Sequence, residues 1–228
     1  MSTRLHVRQQ GVGPAVLFLH GMGSSSVTWV RCLDLLSDRY AVTAVDLLGH
    51  GSSPVPADPD EYTRDRTLID IDDVIADIGA PVVLVGHSLG GYLVLAHAAT
   101  RPEVASGLVV LNTGPGFRDS AKREEWNARS IRNAHRFGVE PQVAAMNLQA
   151  DSVVMDHLAD IVVPTLVLAG DQDRAEYTSA GQYLVRKMPD CRLVIVEGGT
   201  HDMHAGDQAP VVAERIADFL RSVYTPSP

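Results

Sequence analysis

An α/β fold is predicted: a doubly wound, mostly parallel sheet flanked by helices, with a short helical lid inserted between two strands. Three observations carry this expectation. Six short β-branched runs punctuate the chain, four of them ending in Gly, His or Asp: Ala15 to His20, Tyr40 to Asp46, Pro81 to His87, Gly107 to Asn112, Pro164 to Gly170 and Cys191 to Val196. Most are apolar without alternation, which suits strands covered on both faces, the condition of a parallel sheet. Between runs lie helical patterns, and strands alternating with helices wind a sheet covered on two sides.

Two helices are legible in detail. Thr67 to Ile78 places Leu68, Ile71, Val74, Ile75 and Ile78 at steps of three and four, with aspartates opposite. Pro210 to Tyr224 begins with proline in a first-turn position and repeats Val212, Ile216, Phe219, Leu220 and Val223. The stretch 117–160 is too long for a connecting loop and holds helical patterns of its own, so it is expected to form the lid. With no internal repeat or Pro/Gly-rich linker elsewhere, residues 1–228 are expected to form a single domain, the tail Thr225-Pro-Ser-Pro fraying.

Composition narrows the function classes. Twenty-eight acidic against 19 basic residues leave a formal charge of -9, which repels nucleic acid and anionic membrane over most of the surface. Neither kind of partner is expected. No apolar run reaches signal-peptide length at the start, and no window approaches a membrane span, so a cytoplasmic location is expected. Cys32 and Cys191 lie far apart without a C-x-x-C or a histidine cluster, so they read as core thiols. Metal binding finds no support: Asp70, Asp72, Asp73 and Asp77 read as one solvated helix face without the glycine and glutamate of a calcium loop.

The run Pro81-Val-Val-Leu-Val-Gly-His leads into Gly86-His87-Ser88-Leu89-Gly90-Gly91, and an apolar helical pattern, Tyr92 to Thr100, follows at once. This is a nucleophile-elbow pattern in the strand-turn-helix context it requires. The sharp turn strains Ser88 and lifts its hydroxyl off the sheet, while positions 86 and 90 must be small because a Cβ would strike neighbouring backbone. The helix N-terminus then sits beneath the place where an oxyanion forms. The segment lacks the lysine of a phosphate-binding loop and the spaced glycines of a dinucleotide fingerprint.

A serine hydroxyl needs a base, and the base needs a group to orient it. Two later strand ends supply these types: Gly170-Asp171-Gln172-Asp173 and Gly198-Gly199-Thr200-His201. The order Ser, Asp, His is that of one known class of hydrolase. With Leu19-His20-Gly21-Met22-Gly23, Trp29 downstream, Asp46-Leu-Leu-Gly-His-Gly-Ser-Ser53 and the elbow, the sequence resembles an α/β-hydrolase-fold serine hydrolase of esterase type from about Ala15 to Leu220.

The resemblance implies a triad of Ser88, Asp173 and His201, with backbone N–H groups of Met22 and Leu89 as the oxyanion hole, and no cofactor or metal. The pattern Gly-x-x-Asp favours Asp173 over Asp171. The Gly-Gly-Thr lead-in favours His201 over His204, although Asp207 and Pro210 stand farther behind the histidine than is usual in the family. Asn112 is not acidic, which disfavours the variant that takes its acid from that strand end. Serine rather than aspartate at the elbow sets aside dehalogenase and epoxide-hydrolase chemistry.

The implied activity is hydrolysis of a small carboxylic ester through an acyl-enzyme. Thioesterase, lactonase, perhydrolase and C–C bond hydrolase remain alternatives on the same residues, as does a ligand receptor of this fold with little turnover. Substrate identity and oligomeric state stay open. His97, on the apolar helix, reads as a satisfied core histidine. Arg129, Arg132 and Arg136 form one basic stripe in the lid, read as a solvent face, though it offers a site for an anionic tail. Trp126, Phe137, Met146 and Met155 are candidates for an acyl-pocket wall, and Met22 for a thioether lining it.

Overall fold

The computed structural model describes residues 4–79 and 81–224; the tail expected to fray lies outside them. Seven strands form one sheet: β1 Val7–Gln10, β2 Ala15–Leu19, β3 Ala41–Val45, β4 Val82–His87, β5 Ala105–Leu111, β6 Thr165–Gly170 and β7 Cys191–Val196. Their order is β1-β3-β2-β4-β5-β6-β7, with β1 antiparallel to β3 and every other pair parallel. Six strands follow the apolar runs of the sequence. The seventh, β1, reads Val-Arg-Gln-Gln, a half-exposed edge with no apolar run to announce it.

Alternation along the strands sends side chains to two cores. Leu17, Leu19, Val82 and Leu84 face one cluster, and Val16, Phe18, Val83 and Val85 face the other. The first is covered by α2 Arg64–Ile78, α3 Leu89–Thr100 and α6 Ala175–Lys187, the second by α1 Val30–Leu36 and α7 Ala209–Tyr224. Helix α2 starts one turn earlier than its apolar stripe because Thr63 caps it, its hydroxyl accepting from Arg66 N–H at 3.4 Å. Between β5 and β6 lie α4 Ser120–Asn133, the single turn α5 Val153–Asp156 and short 3-10 turns. Asp119 caps α4, accepting from Lys122 N–H at 3.0 Å.

The aspartates of α2 are not all solvated. Asp70 is buried and takes two hydrogen bonds from Arg4, at 2.7 and 3.0 Å, so the uniform acidic face expected there is corrected. A buried carboxylate requires such a partner. Asp72 accepts from His97 Nε2 at 2.9 Å and from Arg101 at 2.7 Å, so His97 is a core histidine, although its Nδ1 is buried with no partner among the described residues and the full satisfaction expected of the ring is not met. Cys32 is buried and Cys191 half-buried, both free, and burial pushes each thiol up to about 12, so neither supplies a thiolate at neutral pH. Among the described residues, no helix is long and apolar enough to cross a membrane, and no group of three metal-ligating side chains converges.

At the N-terminal ends of the strands, Tyr224 of α7 ties the sheet to its last helix. Its hydroxyl donates to Ala15 O at 2.6 Å and accepts from Val83 N–H at 3.1 Å. Tyr224→Phe leaves both backbone groups unpaired and is expected to cost about 1–3 kcal/mol. The expected readout is a Tm lower by about 2–4 °C per kcal/mol; an unchanged Tm contradicts this role for Tyr224.

Several histidines lie in the interior. His204 is fully buried with its ring 4.2 Å from Trp29, and His20 is buried beside His50, ring centroids 5.0 Å apart. Burial first, then neighbouring imidazoles, pushes His20 down to about 4 and His204 down to about 3, from an ordinary value of about 6.5. Below that value the unfolded chain binds protons that these rings refuse, so stability falls with pH from about 6.5 downward and levels only near the depressed values. Thermal unfolding should therefore give a declining Tm between pH 7 and about 4, with a shallower decline in His204→Phe. A flat Tm across that range is incompatible with neutral buried rings.

Candidate active site

The C-terminal ends of β2, β4, β5, β6 and β7 lie along one edge of the sheet, in register: Leu19 pairs with Gly86, His87 with Leu111, Leu111 with Leu168 and Gly170 with Val196. Loops leaving parallel strands at one edge meet above it, which is where open α/β sheets place ligands. Those ends carry, in order, His20, Ser88, Asn112, Asp173 and His201.

Ser88 has φ 51° and ψ -113°, a strained conformation for a residue with a side chain. Its backbone is pinned on both sides: Ser88 N–H donates to Leu111 O at 2.9 Å, and Ser88 O accepts from Thr113 Oγ1 at 2.7 Å and Tyr92 N–H at 3.0 Å. The turn closes only without side chains at two positions. A Cβ on Gly86 would lie 2.3 Å from Gly90 O, and one on Gly90 would lie 2.4 Å from Leu19 O. The glycines expected from the sequence are needed for that contact.

His201 Nε2 lies 3.2 Å from Ser88 Oγ, and His201 Nδ1 lies 2.6 Å from Asp173 Oδ2. The Asp173 side chain is 5% exposed, whereas the imidazole is 37% exposed and open to a ligand. The second Asp173 oxygen accepts from Arg174 N–H at 2.7 Å. A carboxylate fixed at one ring nitrogen puts the proton on Nδ1 and leaves Nε2 with a lone pair toward the serine. Asp171 is exposed and is engaged through its backbone N–H, to Val196 O at 3.2 Å. His204 points into the core instead, its Nε2 3.1 Å from Thr28 Oγ1. Neither alternative takes part in the contacts that join Asp173, His201 and Ser88.

Leu89 opens α3, so no carbonyl within the helix accepts from its N–H. Met22 N–H likewise finds no acceptor among the described residues. Its loop reaches the serine: a Cβ on Gly21 would lie 3.3 Å from Ser88 Cβ. His20 shapes that loop. Its Nε2 accepts from Leu47 N–H at 2.9 Å, which leaves Nδ1–H to donate to Gly21 O at 2.7 Å.

A cavity of about 430 Å³ opens above Ser88 between α3, α4 and α6. Trp126 and Tyr177 supply aromatic walls, with Arg129 and Arg174 among its charged lining. The Tyr177 ring packs 5.1 Å from the His201 ring. Of the basic stripe in α4 and the turn after it, Arg129 alone lines this cavity, its guanidinium 4.9 Å from the Trp126 ring, while Arg132 and Arg136 are exposed elsewhere. Of the four candidate wall residues, only Trp126 is in the lining. Met146 is buried in the first core, Met155 packs against it, and Phe137 is 37% exposed near Gly23. Met22 also packs on that core and does not line the cavity, so its expected thioether wall is corrected.

Residues without a motif of their own also shape the site. His87 is fully buried and its Nε2–H donates to His201 O at 2.8 Å; burial holds this imidazole well below its ordinary range. Tyr177 comes from a helix with no sequence signal of function, and Asn112, read from the sequence only as non-acidic, bonds both loops that carry Asp173 and His201.

Known proteins share this architecture. The chain is 27% identical over 95% of its length to the 2-(acetamidomethylene)succinate hydrolase of Mesorhizobium japonicum, 91% of which is covered. It is 25% identical over 96% of its length to the pimeloyl-[acyl-carrier protein] methyl ester esterase of Xanthomonas campestris pv. campestris, covering all of it. In fold it is similar to a thermophilic esterase from Thermogutta terrifontis, at a TM-score of 0.81, 23% identity and coverage of 97% of this chain and 94% of that one. Residues 16–215, from β2 into α7, match the model of the alpha/beta hydrolase family, and the chain belongs to that family.

Proposed function

We propose that this protein hydrolyses a small carboxylic ester through an acyl-enzyme, as a single cytoplasmic domain in which segment 117–160 serves as a lid over the cavity. The observation that carries the reading is the relay through one imidazole, 2.6 Å from Asp173 and 3.2 Å from Ser88. Family membership and relatives named as an esterase and a hydrolase support it.

In this mechanism Ser88 Oγ attacks the ester carbonyl while His201 Nε2 takes its proton. Asp173 holds the tautomer and offsets the imidazolium charge, and the N–H groups of Met22 and Leu89 receive the oxyanion. His201 then protonates the departing alcohol. Water, activated by the same imidazole, attacks the acyl-enzyme and releases the acid, restoring Ser88. No cofactor enters any step. A cavity of about 430 Å³ is at the small end for ligand sites and suits a short acyl group.

Nitrophenyl esters from acetate to dodecanoate are expected to be hydrolysed with an optimum among the short chains. Ser88→Ala and His201→Ala should lower kcat by about 10⁴-fold or more, and Asp173→Asn by a similar factor through loss of the tautomer. Equal rates in wild type and Ser88→Ala would sink the serine mechanism. The base must be neutral to act, so kcat/KM is expected to fall on acidification; a profile flat from neutral into acid speaks against His201 as base.

A further inference from the structure

Asn112 leaves β5 with φ 45°, and among the described residues it shares positive φ outside glycine only with Ser88, the residue that follows the neighbouring strand β4. Its backbone continues the ladder, N–H to Leu168 O at 3.0 Å, while the side chain turns into the sheet edge and is 1% exposed. Every polar group of the amide is used. Oδ1 accepts from Gly170 N–H at 2.9 Å, and Nδ2 donates to Thr200 O at 3.0 Å and His201 O at 2.9 Å. One partner is an N–H and two are carbonyls, so the amide has a single sensible orientation.

Those contacts join two loops. Gly170 begins the segment that carries Asp173, and Thr200 and His201 belong to the segment after β7. The loops also touch directly, Gln172 N–H donating to Gly199 O at 2.9 Å, but that bond stops two residues short of the imidazole. At His201 itself the backbone carbonyl is held by Asn112 and, at 2.8 Å, by His87 Nε2–H. A side chain in a disfavoured backbone conformation, completely bonded and buried, marks a position that the surroundings over-determine.

We infer that Asn112 is a positioning residue: a buried amide cross-link that sets the Asp173 loop and the His201 backbone in register with Ser88. This rests on the serine-hydrolase reading. The task needs a donor and an acceptor on one planar group. An aspartate at 112 would turn lone pairs toward two carbonyls, so its carboxylate fails where the amide succeeds.

The test uses p-nitrophenyl butyrate, a fluorophosphonate that labels a reactive serine, and the variants Asn112→Gly and Asn112→Asp. Glycine accepts the positive φ at no cost, so Asn112→Gly removes the amide and keeps the turn. Both variants are expected to lose about 10²-fold in kcat, as a small misplacement of reacting groups does, with KM within threefold and labelling slowed in proportion. Tyr224→Phe, a hydrogen-bond lesion at the opposite sheet edge, is expected to lower Tm and leave kcat unchanged. Added acetamide should restore part of the rate in Asn112→Gly; acetate, of the same shape but with no N–H to give, should not. A kcat within threefold of wild type in both variants overturns the inference, as does equal rescue by acetate. A wild-type chain inert to both ester and fluorophosphonate overturns the underlying reading, and the inference with it.

Discussion

The close approach of Gly90 to the end of β2, and of Gly86 to Gly90, is the contact from which the site is built. Because no Cβ intervenes, α3 begins directly against the sheet, and Ser88 is forced to φ 51° at the junction. Strain of this kind persists only when bonds on both sides hold it. Here Leu111, Thr113 and Tyr92 do so, which makes β5 and its following residues part of the elbow. The serine hydroxyl and the free N–H of Leu89 then emerge at one place, a direct consequence of a helix starting where a strand stops.

Around that junction the polar groups are arranged by burial. His20 and His87 lie in the interior as neutral rings and spend their N–H groups on backbone carbonyls, Gly21 O in one loop and His201 O in another. The more exposed imidazole, His201, instead meets a carboxylate. Neutral buried rings serve as fixed struts, and the more exposed ring is the one that joins Asp173 to Ser88. The same burial that makes the struts rigid makes the folded state sensitive to acid, so site geometry and pH-dependent stability have one cause.

The cavity draws its walls from two origins. Tyr177 and Arg174 come from the sheet framework after β6, while Trp126 and Arg129 come from α4 in the segment between β5 and β6. The framework fixes the reacting groups, and α4 contributes to the shape of the space above them. Function resides in the site rather than in the fold, so family membership leaves the substrate open.

Much was legible in the sequence. Apolar runs gave six strands, five of them buried on two faces and therefore continuously apolar and the sixth, β7, a half-exposed edge, and the elbow was visible because its glycines, serine and flanking elements are contiguous. The residues Asp173 and His201 were nameable because each follows a strand end within a short motif. Other features depend on contacts between distant segments, which local pattern does not encode. Strand β1 is polar and finds its place by pairing with β3; Asp70 is buried because Arg4 lies against it; Met22 turns to the core rather than the cavity. The part taken by Asn112 is of the same kind: in sequence it is a polar residue after a strand, and only the convergence of loops beginning 58 and 88 residues later gives its amide three partners. Sequence determined the covalent order and the local turns, while tertiary structure decided which backbone groups a buried side chain must satisfy, because a polar group removed from water has to bond whatever the fold brings to it.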